Sequence, residues 1–291
     1  MKRDESAQHL PPGLYLVATP IGNLEDITLR ALRVLRESDL IACEDTRHTQ
    51  KLLNHYAIEK PTVSYHEHIE ASRASELLEK LKQNARIALV SDAGMPTISD
   101  PGFRLVELAV RTGIAVIPVP GATAVVAALA ASGLPNHSFC FHGFLPSKSS
   151  ARREALEKIR TAEHPQVFYE APHRLLECLK DVEEVLGAER QVVVARELTK
   201  LHEEFLRGEV GELLRVLSSR GEVKGEITLI IGKSEKGAQT GAPLNLRERV
   251  DELMRQEKID EKGALKRLAK QMKLSKSELY RRLQRSESRP S

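Results

Sequence analysis

The sequence predicts an α/β protein: two α/β domains in series, followed by a small basic helical module. Three observations predict it. Short apolar runs recur along the first 230 residues. Segments with helical apolar spacing separate them, and that alternation means a parallel or mostly parallel sheet. The early runs also break into polar loops that lead into helical patterns: Val17-Ala-Thr-Pro-Ile-Gly-Asn-Leu24, Cys43-Glu-Asp-Thr-Arg-His48 and Ser91-Asp-Ala-Gly-Met-Pro-Thr-Ile-Ser-Asp-Pro-Gly102. Ligands of open α/β sheets bind outside the carboxyl ends of the strands, so these loops outline one side of a cleft. None has the Gly-x-Gly-x-x-Gly spacing of a dinucleotide site.

In chain order, strands are expected over residues 14–18, 40–43, 87–90 and 116–119. Amphipathic helices are expected over 28–37 (Leu32 and Leu35 on one face), 72–82 (Leu77, Leu78, Leu81) and 103–111 (Leu105, Leu108, Ala109). The next helix, over 122–132, is almost wholly small and apolar, which predicts burial on all sides. Gly133-Leu-Pro135 ends it. A second set follows, with strands over 139–144, 167–169, 192–195, 203–209 and 227–231 and helices over 152–160, 174–186 and 210–219. The expected organisation is an N-terminal α/β domain over 13–134, a C-terminal α/β domain over 135–232 and a Gly- and polar-rich linker over 233–244. A helical module over 245–291 completes it. There, Asn245-Leu-Arg-Glu248 and Ser275-Lys-Ser-Glu278 match the N-cap pattern with an acid three residues on. Helix, short turn at Lys273-Leu-Ser275 and capped helix resemble a helix-turn-helix.

Charge is segregated. The chain of 291 residues carries a formal +3, yet residues 245–291 alone carry a net +6 and the body a net −3. A segregated basic module is an electrostatic footprint for a polyanion, or else a solvated helical tail. Aromatic residues make up 4% of the chain, without Trp, which argues against stacking platforms for single-stranded nucleic acid. No apolar run reaches the ~18 residues of a membrane span, and the first residues lack a signal-peptide core, so a cytoplasmic protein is expected. Cys43, Cys140 and Cys178 are odd in number and far apart, reading as free thiols.

Several clusters carry chemistry. Gly232-Lys-Ser234 fails as a phosphate loop because six residues separate Gly225 from Gly232 and no helix follows. His66 and His68, on an expected strand, have no third ligand at suitable spacing, so no metal site is expected. Asp92 and Asp100 bound a rigid loop able to accept hydrogen bonds from a ribose or an amine; Asp100 also suits a helix cap before Pro101. Pro118-Val-Pro-Gly-Ala-Thr123 lets backbone approach a ligand ahead of a helix, or simply turns the chain. Phe168-Tyr-Glu-Ala-Pro-His-Arg174 and Arg196-Glu-Leu-Thr-Lys200 end two strands of the second set at equivalent places. Their charged residues suit proton transfer or phosphate binding; the alternative is an ion-pair cluster at a domain interface.

Taken together, the ordered motifs from about Gly13 to Gly232 resemble the ribosomal RNA small-subunit methyltransferase I family, within the tetrapyrrole-methylase-like (class III methyltransferase) superfamily. The resemblance rests on Thr19-Pro-Ile-Gly-Asn-Leu24, Glu44-Asp-Thr-Arg47, Ser64-Tyr-His-Glu-His68, the Ser91–Gly102 loop, Pro120-Gly-Ala, Ser132-Gly-Leu-Pro135, Gly143-Phe-Leu-Pro-x-Lys148, Tyr169-Glu-Ala-Pro-His-Arg174 and Arg196-Glu-Leu-Thr-Lys200. Met95 stands where the family usually has Thr, and Ile69 where Asn is common. The resemblance implies S-adenosylmethionine bound between two α/β domains, and methyl transfer to the ribose 2′-hydroxyl of a cytidine in the decoding region of 16S rRNA in the 30S subunit. It maps cofactor contacts onto Pro20, Asp92, Ala93, Gly94, Met95, Thr123, Ala124, Tyr169, Ala195 and Ile227. Residue chemistry then puts Glu170 or Lys200 forward as proton acceptor or hydroxyl orienter, with Arg174 and Arg47 on backbone phosphates. The basic tail, similar to the family's C-terminal extension, offers Lys266, Lys270, Lys276, Arg281, Arg282 and Arg285 to RNA. A homodimer is implied as well. The rivals are a tetrapyrrole or other small-molecule methylase of the same superfamily and a non-catalytic nucleic-acid-binding regulator.

Overall fold

The structure, a computed structural model, describes residues 10–220, 223–234, 250, 254 and 259–271. Its chain divides into two compact units, Met1–Lys233 and Ser234–Ser291. The first unit holds two five-stranded sheets.

The first sheet is built from β1 (Gly13–Val17), β2 (Leu40–Cys43), β3 (Thr62–Ser64), β4 (Arg86–Val90) and β5 (Val116–Val119), in the order β3-β2-β4-β1-β5. All its pairings are parallel. Alternate residues serve opposite faces, which is why the strands read as continuous apolar runs. Tyr15, Val17, Ile41, Ala88 and Val90 pack on one face, against Ala31, Val34 and Leu35 of α1 (Leu29–Glu37) and Leu53 of α2 (Thr46–His55). Leu14, Leu16, Ala42, Ile87 and Leu89 pack on the other. They meet Leu77 and Leu81 of α3 (Glu70–Lys82) and Leu105 and Ala109 of α4 (Phe103–Arg111). Each fully buried Leu in these layers contributes roughly 1.5–3 kcal/mol of transfer free energy. Thr28 caps α1 by accepting from Ala31 N at 3.1 Å, and Asp45 caps α2 by accepting from Arg47 N at 2.8 Å. Because the strands are parallel, the loops after β1, β2, β4 and β5 all emerge at one edge.

The sequence reading has no helix over 46–55. The segment is mostly polar and buries only Thr49, Leu52 and Leu53, so its apolar face is too narrow to stand out. His66 and His68 lie at a 3₁₀ turn, Glu67–Ile69, and not on a strand.

The second sheet is mixed. It comprises β6 (Cys140–Phe144), β7 (Gln166–Glu170), β8 (Gln191–Arg196), β9 (Glu204–Glu209) and β10 (Ile227–Ile231), ordered β6-β7-β10-β8-β9. One face carries α6 (Ser149–Lys158), α7 (Leu175–Leu186) and α8 (Val210–Ser219), packed on Phe168, Val192, Val194, Leu229 and Ile231. The opposite face carries Val167, Val193, Ala195 and Ile230, and these meet Val125, Ala128 and Leu129 of α5 (Ala124–Ala131) together with Ile21. A helix and a loop from the first half thus cover the second sheet, which brings the two strand-end edges together.

The structure corrects the expectation that α5 is buried on all sides. Its inner side is buried, but Val126 is 53% exposed, and Ala127, Ala130 and Ala131 are exposed with it. In the second unit, α9 (Glu261–Gln271) buries Leu265, Leu268 and Ala269 with Val250 and leaves Lys266 exposed. Lys270 lies on the same helix. Met272 and the expected second helix, with Lys276, Arg281, Arg282 and Arg285, lie outside the described residues, as does nearly all of the expected linker.

Candidate active site

A cavity of about 430 Å³ lies where the two edges meet. Its first wall is the loop after β4. An antiparallel bridge pins this loop to the loop after β1: Thr19 N donates to Gly94 O at 2.9 Å, and Gly94 N donates to Thr19 O at 3.1 Å. The Thr19 hydroxyl adds a bond to Ser91 O at 3.1 Å. Thr97 and Ser99 hold left-handed backbone, with φ of 76° and 65°. Such conformations cost non-glycine residues on the order of 1–3 kcal/mol each and persist where the surroundings enforce them, often at functional sites. Asp92, Ala93, Gly94, Met95 and Asp100 from this loop all line the cavity.

The second wall comes from the other sheet. β7 and β8 both run antiparallel to β10, so Tyr169, Thr228 and Ala195 form one row across it and Glu170, Ile227 and Arg196 the next. This register brings the two charged clusters of the sequence to the same edge. Tyr169, Ala195, Ile227 and Thr228 line the cavity, with Leu198 and Glu226 beside them. Thr123 and Ala124 close it at the start of α5, where the Thr123 side chain makes no capping bond to the helix. The loop carrying Gly22 packs hard on the loop after β8. A Cβ on Gly22 would stand 2.5 Å from Lys200 Cγ.

Electrostatics are acidic around an apolar centre. Asp92 accepts from Asp45 N at 3.2 Å. Burial, and then the charges of Glu44 and Asp92, push Asp100 up to about 6 against an opposing hydrogen bond from Ser91. Asp100 does not cap α4. Glu70 reaches across instead and accepts from Gly102 N at 3.1 Å and Arg104 N at 3.4 Å, which leaves the Asp100 carboxyl to the cavity. Burial pushes the Glu44 carboxyl up too, with Asp92 adding to it, and the Tyr169 phenol is raised by burial and the Asp100 and Glu226 charges.

Three residues with catalytic-looking chemistry are already engaged by neighbours. The Glu170 side chain is fully buried; it accepts from Ala171 N at 2.8 Å and pairs with Arg174 Nε at 3.2 Å. Glu170 nevertheless lines the cavity, and these contacts engage chiefly one carboxylate oxygen, Oε1. Arg174 does not line the cavity. It donates through Nη2 to Leu145 O at 2.7 Å and Pro146 O at 3.2 Å, so it holds the loop after β6. Lys200 also stands outside the lining, paired with Glu197 at 2.8 Å and with Glu226 at 3.2 Å. Burial works against its ammonium, but the hydrogen bond from Lys200 to Glu197 and the Glu226 charge outweigh that and leave its pKa raised. A protonated amine donates only, which suits Lys200 to orienting a hydroxyl and not to taking its proton.

Pro20 is buried and outside the lining; its neighbour Ile21 takes that place. Arg47 lies away from the cavity on an open polar surface with Gln50, Lys51 and Asn54, 88% exposed and paired with Asp45 at 2.8 Å. Sequence reasoning did not single out Ile21, Ile98, Ser99, Phe144, Leu198 or Glu226, all of which line the cavity. All but Glu226 fall inside a motif named above, but mostly as apolar side chains that carry no chemical flag of their own.

This fold is shared with several solved proteins. One is a uroporphyrin-III C-methyltransferase from Thermus thermophilus, solved in complex with S-adenyl homocysteine; it is 20% identical with a TM-score of 0.53, covering 77% of this chain and 99% of its own. Another is a diphthine synthase, 15% identical with a TM-score of 0.59, covering 75% and 89%. The family of Tetrapyrrole (Corrin/Porphyrin) Methylases matches residues 13–214, and fold and family together define a methyltransferase of that class. Two relatives narrow this further. A protein of Halalkalibacterium halodurans named ribosomal RNA small subunit methyltransferase I is 54% identical over 77% of both chains. One of the same name from Synechocystis is 47% identical over 92% of this chain and 95% of its own. The chain belongs to the ribosomal RNA small subunit methyltransferase I family.

Proposed function

We propose that the protein transfers the methyl group of S-adenosylmethionine to the 2′-hydroxyl of a cytidine ribose in the decoding region of 16S rRNA, within the 30S subunit. The observation that carries this reading is the cavity, in a chain whose relatives are named for small-subunit rRNA. Its size lies within the ~300–1,000 Å³ of small-molecule sites. Its walls fit the cofactor. Ala195, Leu198, Ile227 and Tyr169 offer an apolar slot for an adenine, Gly94 leaves the backbone open, and Asp92 and Asp100 face the cationic sulfonium and amino groups.

When bound, the cofactor would supply an electrophilic methyl group for an in-line displacement that releases S-adenosylhomocysteine, and the 2′-hydroxyl proton passes to Glu170 at the cavity wall or to solvent. The protein's own residues bind, orient and exclude water. Asp92 and Asp100 set negative charge beside the cationic end, and the Thr19–Gly94 bridge keeps their loop in register. Lys200 acts through Glu226, fixing that carboxylate at the cavity wall. Arg47, free to leave Asp45 at the surface, meets backbone phosphate with Lys51 beside it. The basic module, including Lys266 and Lys270, adds affinity for the RNA. The protein works as a homodimer, and the exposed apolar side of α5 is the face for the second copy. No helix among the described residues is long and apolar enough to cross a membrane, and a ribosomal substrate implies a reaction in the cytoplasm.

The test is to incubate the protein with tritiated S-adenosylmethionine and 30S subunits, then map the label. A 2′-O-methylcytidine in the decoding region is the expected product. Label on a tetrapyrrole and none on 30S subunits would favour the small-molecule rival; cofactor binding without transfer to either would favour a regulator.

A further inference from the structure

Phe144 stands at the cavity wall with its ring largely in solvent. It is 58% exposed, although it lines the cavity and lies 5.6 Å from the Tyr169 ring, tilted by 57°. The backbone holds it there. The β6–β7 register breaks between Phe141 and Phe144, and a bulge of this kind re-aims the side chain that follows it. Gly143 makes the bulge with φ 69°, and a Cβ there would stand 3.2 Å from Ser99 Oγ. On the other side Leu145 is buried in the core. Arg174, half-buried, binds the Leu145 and Pro146 carbonyls, and Arg152, fully buried and paired with Asp181 at 2.6 Å, donates to Ser147 O at 3.3 Å. Two arginines therefore fix the chain just after Phe144, and neither lines the cavity. Ile98, on the strained loop, lines the same cavity and is 48% exposed.

An exposed aromatic ring held this firmly at a pocket mouth is not explained by packing. Unstacked bases, by contrast, are taken up on aromatic faces. We propose that Phe144, with Ile98 on the same cavity, takes the base of the target nucleotide, so that stacking on the Phe144 ring sets its ribose over the cavity. The proposal rests on the rRNA reading above. It makes Phe144 a substrate-contacting residue that positions the nucleotide without reading its identity, since every base has a stacking face. Glu170, Arg174 and Arg152 become positioning residues for that ring. It also narrows what the low aromatic content implies: the chain needs one platform, at one nucleotide.

The test uses the full-length protein with 30S subunits. Steady-state methylation is measured for wild type, Phe144→Ala, Phe144→Leu and Phe144→Tyr, with S-adenosylmethionine affinity by calorimetry. Phe144→Ala should raise KM for 30S subunits about tenfold to a hundredfold, the scale of one base stack, and leave cofactor affinity within about twofold. Phe144→Tyr should restore KM; Phe144→Leu, apolar but without a π face, should stay close to Ala. A cofactor affinity that falls by the same factor would make Phe144 a wall of the cofactor site and overturn the proposal. So would a normal KM in Phe144→Ala, or full rescue by Leu. Because the ring is exposed, unchanged melting temperatures are expected; if Phe144→Ala unfolds, Leu against Tyr decides alone. Wild-type protein that leaves 30S subunits unmethylated fails the rRNA reading itself, and the base slot with it.

Discussion

Asp100 shows how one residue can be placed against stability for the sake of a site. Its folded pKa is raised from 3.8 to about 6, chiefly by burial. The folded state therefore holds the proton more tightly than the unfolded one. Between those two values stability falls as pH rises, and above about 6 the full cost of the buried charge is present. Asp100→Asn removes that charge. It should raise the melting temperature at pH 7.5, with the gain vanishing near pH 4, while weakening S-adenosylmethionine binding at pH 7.5. Wild-type cofactor affinity should likewise fall as pH drops through about 6. Calorimetry at several pH values reads both, and a variant that melts lower at pH 7.5 would show that the carboxylate is stabilised there. The sequence marked Asp100 both as an acceptor for a ligand and as a helix cap, and the cap is not formed. The competing cap, Glu70, comes from a different helix, and local spacing carries no trace of it. Glu170, Arg174 and Lys200 were chosen by residue type, and type does not reveal that a neighbour already engages each of them. Loop residues such as Asp92, Gly94 and Met95 were easier to place, because a loop at a parallel strand end has one edge to occupy.

At the scale of elements, strands and helices with wide apolar faces were legible, because alternating burial leaves continuous apolar runs in a parallel sheet. The narrow helix α2 was missed for want of such a face. α5 was misread in the opposite sense: its composition says apolar all round, yet only Val125, Ala128 and Leu129 are buried against the rest of the chain. Its carboxyl end is tied down, with Arg207 donating to Ala131 O at 2.7 Å and Ser132 O at 3.2 Å. The helix is thus fixed, with one side packed and one side open. Under the homodimer reading, a charge at the open side should separate the copies. Val126→Glu should sediment as a 32.4 kDa monomer at micromolar concentration while the wild type sediments at twice that mass, with far-UV circular dichroism unchanged. A variant that stays dimeric would move the dimer interface to another surface.

For the whole molecule, the decisive feature is the separation of charge between two units. The body supplies an acidic cavity, suited to a cationic cofactor and poorly suited by itself to a polyanion. Residues 266–285 hold eight basic residues, Lys266, Arg267, Lys270, Lys273, Lys276, Arg281, Arg282 and Arg285, against one acid, Glu278. A cation that neutralises a phosphate releases counterions, so each such ion pair removed should flatten the log–log salt dependence of RNA binding by about 0.7–0.9. The chain divides at Lys233, ahead of this segment, so removing residues 245–291 leaves the first unit whole. The truncated protein should bind S-adenosylmethionine as the full chain does. Its affinity for 30S subunits should fall, and its salt slope should shrink in proportion to the number of phosphates no longer neutralised. Arg47 and Lys51 remain on the body, so a residual salt dependence should persist and should fall again in a truncated Arg47→Ala variant. Methylation of 30S subunits by the truncated protein at full efficiency across the salt range would make the basic module a solvated appendage and leave RNA recognition to the body alone.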